Sequence, residues 1–93
     1  AWLLTREYVK GQYKGICIYS YYVLNEIFFS DMVHHIVELK ENWELRLDED
    51  NLIPLSDGMH NKIHALYRSS KKDETQQLLR ELKNRWKREF KYS

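Results

Sequence analysis

Apolar positions along this chain come in short groups whose spacing changes from helical to extended and back. From about Trp2 to Lys10 the residues Leu3, Leu4, Tyr8 and Val9 form one helical stripe, and Gly11 is placed to end it. Residues 11–15, with a glycine at each end, read as a turn. Ile16 to Val23 is rich in Ile, Tyr and Val, which favours extended structure although the alternation is not clean. Leu24 to Ser30 reads as loop, with Phe28 and Phe29 expected in the core. Asp31 to Val37 is expected as a strand, with Met32, His34 and Ile36 on one face and Val33, His35 and Val37 on the other. Glu38 to Asp50 is a polar, acidic connection, tacked down by Trp43, Leu45 and Leu47. Asn51 to Leu55 is a second short strand, and Pro54 places it at a sheet edge or strand end. Ser56 is a good N-cap for a helix through about Tyr67, whose buried face is Met59, Ile63, Leu66 and Tyr67. Arg68 to Lys72 is a basic linker. Asp73 with Gln76 resembles a capping box that opens a last helix over about 73–91. Its stripe is Leu78, Leu79, Leu82, Trp86 and Phe90, and its opposite face carries Arg80, Lys83, Lys87 and Lys91. The pattern gives an α+β fold: an N-terminal helix, a short hairpin with a helix against it over about 31–67, and a long C-terminal helix.

The length of 93 residues fits a single domain, 1–93, with a core just large enough to fold alone. An aromatic fraction of 14% rules out a disordered chain. No apolar run approaches the ~20 residues that span a bilayer, and no secretory signal is visible, so a cytoplasmic setting is expected. The chain opens on Ala1-Trp2, which implies that at least an initiator methionine is missing. A single cysteine, Cys17, excludes an internal disulfide and fits a reducing compartment. The net charge of +1 hides an asymmetry: residues 1–61 carry five Lys/Arg against ten Asp/Glu, and residues 62–93 carry ten against four. A basic C-terminal part points modestly to a polyanion such as nucleic acid, and equally to a solvated helix face.

All four histidines lie between Met32 and His64. His60 and His64 are four apart and project from one side of a helix, a well-attested spacing for a metal pair, and a third imidazole from a strand completes three protein ligands. Three ligands leave a position open, as catalytic rather than structural sites do. Neighbouring strand residues face opposite ways, so His34 and His35 cannot share one role. If His34 faces a metal, His35 is free to act as a general base near neutral pH.

His34-His35-Ile36, then Asn51-Leu52, then His60-Asn61-x-x-His64 resembles the HNH endonucleases, the ββα-metal nucleases. The likeness runs from the N-terminal helix to about His64. It implies that His34, His60 and His64 bind one divalent metal ion, that His35 activates the attacking water, and that Asn51 fixes the intervening loop and so orients the base. It also implies DNA as substrate, cut by endonuclease or nickase action, and a setting beside a phage terminase in genome packaging. Three imidazoles suit Zn²⁺, Ni²⁺ or Mn²⁺ better than Mg²⁺. Many members bind a structural zinc through two Cys-x-x-Cys pairs; here the matching places read Cys17-x-x-Ser20 and Ser56-x-x-Met59, so no structural zinc is expected and Met59 with nearby aromatics is expected to fill the gap. The rival reading is a catalytically inactive HNH-fold module that binds DNA or a protein partner. A histidine-based structural zinc domain would use the same three ligands and leave His35 idle. Oligomeric state and sequence specificity are not legible here.

Overall fold

The computed structural model describes residues 1–91, with the backbone alone for Lys91. Helix α1 (Trp2–Gln12) is followed by a helical turn, strand β1 (Met32–His35), a long connection, strand β2 (Leu52–Leu55), and helices α2 (Asp57–Tyr67) and α3 (Lys72–Trp86). The strands form a two-stranded antiparallel sheet in which His34 pairs with Ile53 and His35 with Leu52. Helix α1 packs against both strands, and α2 packs against β1 and α3. The core is continuous from Val9 and Tyr13 of α1 through Ile18, Ile36, Leu52, Ile53, Leu55 and Ile63 to Leu79, Leu82 and Trp86 of α3. This is the expected α+β arrangement of helix, hairpin, crossing helix and C-terminal helix.

The start of α2 has a local cause. The Ser56 side chain accepts from the Met59 N–H at 3.4 Å, and the Asp31 carboxylate accepts from the Asp57 N–H at 2.8 Å, so orphan amides of the first turn are paired. Asp31 thereby couples the start of β1 to the start of α2. The apolar spacing of Ile63 and Tyr67 buries one face of this helix, with Met59 and Leu66 packed at its margin.

Several expectations from the pattern are corrected. Helix α1 does not stop at Gly11. It runs to Gln12, and the break comes where Lys14 and Gly15 take left-handed backbone at φ 56° and 73°. Of its expected stripe only Val9 is buried; Leu3 and Leu4 are 70% and 79% exposed, because the helix meets the sheet through its C-terminal half, Val9 and then Tyr13. Ile16 to Val23 is not a strand. Ile16 makes one bridge to Phe29, and from Ile18 the chain winds into a helical turn whose last part, Ser20–Leu24, is π-helical. Cys17 to Ser20 are buried consecutively, and Tyr21 and Tyr22 set their edges against Trp86, an aromatic cluster that overrides the β-propensity of the segment. Phe28 and Phe29 are outside the core, Phe29 being 78% exposed, because the Phe28 carbonyl and the Ser30 amide are committed to residues 15–17 and turn this edge outward.

Helix α3 begins at Lys72 without a side-chain cap, so there is no capping box: Gln76 is buried and donates to the Ile36 carbonyl at 2.9 Å. Lys83 is not on a solvated face. It is 3% exposed, its ammonium donates to the Glu49 carbonyl at 2.6 Å, and burial, with Lys87 nearby, pushes its pKa down to about 8. The side chain of Lys91 lies outside the described residues. Trp86 ties the two ends of the fold together, since its indole N–H donates to the Gln12 carbonyl at 3.2 Å while its ring packs against Tyr13 and Phe90. Trp86→Ala should therefore cost about 3–5 kcal/mol of unfolding free energy in urea melts, and a loss under 1 kcal/mol would show that α3 does not hold α1 in place.

Candidate active site

The site grows out of the alternation of β1. His34 points to the α2 side and is buried, 4% exposed; His35 faces the other way and is half-buried. From α2, His60 and His64 bring their Nε2 atoms to 2.9 Å of each other, and the His34 ring meets both edge-on at centroid distances of 5.4 and 5.8 Å. Donor atoms of His34, His60 and His64 all lie within 4.8 Å of one another, and among the described residues these three form the group able to hold a metal ion. The His34 Nε2 is buried without a hydrogen-bond partner. A buried imidazole nitrogen left unpaired costs about 1–3 kcal/mol, and a cation that uses its lone pair would remove that cost. The donor set fits a divalent ion.

The electrostatics agree. Burial, and then the neighbouring His60, His64 and His35 rings, hold the His34 pKa down to about 3. Burial and His64 lower that of His60, against an opposing effect of Asp57. Neutral imidazoles are the form that binds metal. These rings line a cavity of about 340 Å³ together with His35, Glu38 and Lys40.

His35 is fixed by the connection between the strands. Its Nε2 lies 3.0 Å from the Arg46 carbonyl, and a carbonyl only accepts, so Nε2 carries the proton and Nδ1 the lone pair. The Trp2 ring stacks on the imidazole at a 5.0 Å centroid distance and 23° between planes. Asn51 in turn fixes the connection. Its Oδ1 accepts from the Val37 N–H at 2.8 Å, and its Nδ2 donates to the Val37 carbonyl at 3.0 Å and the Leu45 carbonyl at 3.4 Å. Leu45 directly precedes Arg46, so one buried amide sets the position of the carbonyl that holds His35.

The expected anchors of the connection, Trp43 and Leu47, are instead exposed, and Leu45 is half-buried. Polar groups do that work because the connection closes on itself and on α3 through its backbone. Tyr67 and Gln76 both donate to the Ile36 carbonyl, at 2.6 and 2.9 Å, one residue beyond His35. Burial raises the Tyr67 pKa, so its hydroxyl stays a donor. Lys83 and Lys87 reach Glu49 and Asp50 at the other end. Gln76 and Lys83 were not legible as site supports, since each sits at an ordinary helix position and only a buried backbone carbonyl far away in sequence marks it out. At the places of the missing zinc cysteines, the Ser20 hydroxyl donates to the Cys17 sulfur at 3.2 Å, Ser56 caps α2, and Met59 packs at the core margin.

A hairpin, a helix laid against it and imidazoles from both define a ββα unit with three histidines that could hold a metal ion. No protein-family model and no curated protein sequence matches the chain. The crystal structure of an HNH endonuclease from the deep-sea thermophilic bacteriophage GVE2, determined with manganese ion, does match: the TM-score is 0.65 at 33% identity, over 69% of this chain and 68% of that one. The chain belongs to the HNH endonuclease family.

The neutral His34 makes a pH prediction for the metal-free protein. Unfolded, this residue binds a proton near its ordinary 6.5; folded, it does so only at about 3. Below 6.5 the unfolded state therefore holds more protons, and stability should fall as pH drops through that window, by at most about 1.4 kcal/mol per pH unit from this residue. Urea unfolding from pH 7.5 to 4.5 should show a steeper decline for the wild type than for His34→Phe. Equal slopes would mean that His34 is not a buried neutral ring.

Proposed function

We propose that the protein is a metal-dependent DNA endonuclease or nickase that hydrolyses phosphodiester bonds, with His35 as general base and His34, His60 and His64 as ligands of one divalent ion. The observation that carries this is the pairing of roles at one cavity: three imidazoles clustered with an unsatisfied buried nitrogen, and a fourth held through Nε2 with its basic nitrogen left over. Family membership supplies the reaction class, and the manganese in the GVE2 structure supports Mn²⁺ among Zn²⁺, Ni²⁺, Mn²⁺ and Mg²⁺. When bound, the ion supplies Lewis acidity toward a phosphate oxygen and toward the departing 3′ oxygen.

The protein's own groups do the rest. His35 takes a proton from the attacking water at Nδ1, and the Nε2–H bond to the Arg46 carbonyl strengthens as the ring becomes cationic. Trp2 covers one face of the ring and restricts its rotation. Asn51 is a positioning residue that acts through the Leu45–Arg46 backbone. Lys40, on the cavity wall, presents a cation to the phosphate. DNA affinity from such charges is sensitive to salt. A place beside a phage terminase is supported by the family likeness and the phage source of the GVE2 enzyme alone.

Supercoiled plasmid incubated with the protein and each of the four ions should be relaxed or linearised in at least one. His35→Ala should lower the rate by about 10²–10⁴-fold while metal still raises its melting temperature, by roughly 10–20 °C at a hundredfold excess over Kd. His60→Ala should lose most of both effects. No cleavage by the wild type in any ion, with the metal-induced shift intact, would give the chain to an inactive HNH-fold module.

A further inference from the structure

We propose that a second, apolar cavity beside His35 is a nucleobase subsite, which takes an unpaired base flanking the scissile phosphate. The proposal rests on the nuclease reading for what occupies the histidine cavity. This second cavity measures about 440 Å³, within the ~300–1,000 Å³ of small-ligand sites, and its walls include Trp2, Leu39, Trp43, Arg46 and Leu47. Val33, His35 and Leu39 line both cavities. A strand whose phosphate faces the imidazoles therefore has its adjoining nucleoside within reach of the aromatic walls.

The chemistry of the walls favours a base. Trp43 is 58% exposed, a wide apolar plane left in water, and the Arg46 guanidinium lies over its ring at 4.6 Å. An indole with a cation beside it is the platform on which single-stranded nucleic acids stack. Charge is sorted the same way. Glu38 and Glu41 of the connection share the Lys72 ammonium at 3.0 Å, and Asp50 pairs with Lys87; Glu38 lines the histidine cavity, whereas the walls of the second cavity carry no carboxylate. Arg46 and Lys40 are the cations on the two cavity walls. An aromatic-plus-arginine patch would also suit a protein hot spot, but continuity through His35 places this one where the substrate strand must pass. Few polar groups line it, so it would stack any base rather than read one. In an intact duplex the base must first be unstacked. The subsite therefore favours single strands, gaps, flaps and mismatches over uninterrupted duplex.

The test is binding in EDTA, where nothing is cut. Fluorescein-labelled single-stranded 12-mers of equal phosphate number, one of thymidine and one with abasic central positions, are titrated with wild type, Trp43→Ala and Trp43→Phe, and folding is checked by circular dichroism. The wild type should bind the thymidine strand about 5- to 100-fold more tightly than the abasic strand, with quenching of tryptophan fluorescence. Trp43→Ala should erase that ratio and Trp43→Phe should keep most of it. Equal affinity for the two strands in wild type, or a ratio unchanged in Trp43→Ala, overturns the proposal and leaves the cavity to a protein partner or to chain preceding Ala1. Plasmid cleavage run in parallel separates the two readings: cleavage without base discrimination removes the subsite and keeps the nuclease, and discrimination without cleavage does the reverse.

Discussion

The buried side-chain amide of Asn51 is the constraint on which the rest of the molecule depends. It pairs with both backbone groups of Val37 and with the Leu45 carbonyl, closing the connection between the strands at its two ends. Without it the two backbone groups of Val37 would lose this partner, each at about 1–3 kcal/mol, while the Leu45 carbonyl would keep only the Asp48 N–H. The Asn51 carbonyl also accepts from the Ile36 N–H at 2.8 Å, which extends the ladder one pair beyond the regular strands. A one-residue slip of this hairpin would exchange the faces of His34 and His35. Asn51 thus supports the register through its backbone carbonyl and, through its side-chain amide, the backbone next to the carbonyl that selects the His35 tautomer.

Around that clamp, α3 serves as a brace for the site as well as a wall of the core. Its apolar stripe buries Leu79, Leu82 and Trp86, while Gln76 and Lys83, on the same face, reach backbone carbonyls at opposite ends of the connection. Burying an ammonium at Lys83 is costly, and its lowered pKa is the mark of that cost. The charge asymmetry of the chain takes on a second meaning here. Part of the basic C-terminal region neutralises the acidic connection from within, through Lys72 and Lys87, and is used before any polyanion arrives.

The site itself is assembled against local stability. Three imidazoles are crowded together, one of them buried with an unpaired nitrogen, and none is placed to satisfy the others fully. Frustration of this kind concentrates at functional sites, where the surrounding structure over-determines an arrangement that the residues alone would not choose. A short ladder and a helix with two of its first-turn amides capped by side chains carry the histidines.

What the sequence determined by itself was local chemistry. The four-residue spacing of His60 and His64, the opposite faces of His34 and His35, the Ser56 cap and the stripe of α3 are properties of neighbours along the chain, fixed by helical and strand periods. They sufficed for the α+β architecture and the clustering of three histidines; the family was legible through the resemblance carried by His34-His35, Asn51 and His60-x-x-x-His64. Tertiary structure decided everything that depended on a distant partner. Ile16 to Val23 has strand residues but no strand to pair with, and an aromatic cluster around Trp86 wound it into a helical turn. Phe28, Phe29, Leu3 and Leu4 look like core by type, yet no element lies over them among the described residues. Gln76 and Lys83 look like surface by type, yet each stands three or four residues from Leu79 on the buried face, where the carbonyls of Ile36 and Glu49 accept from them. Periodicity reports which face a residue shares with its neighbours; whether that face is covered, and by what, is set by packing between segments that the chain order does not place side by side.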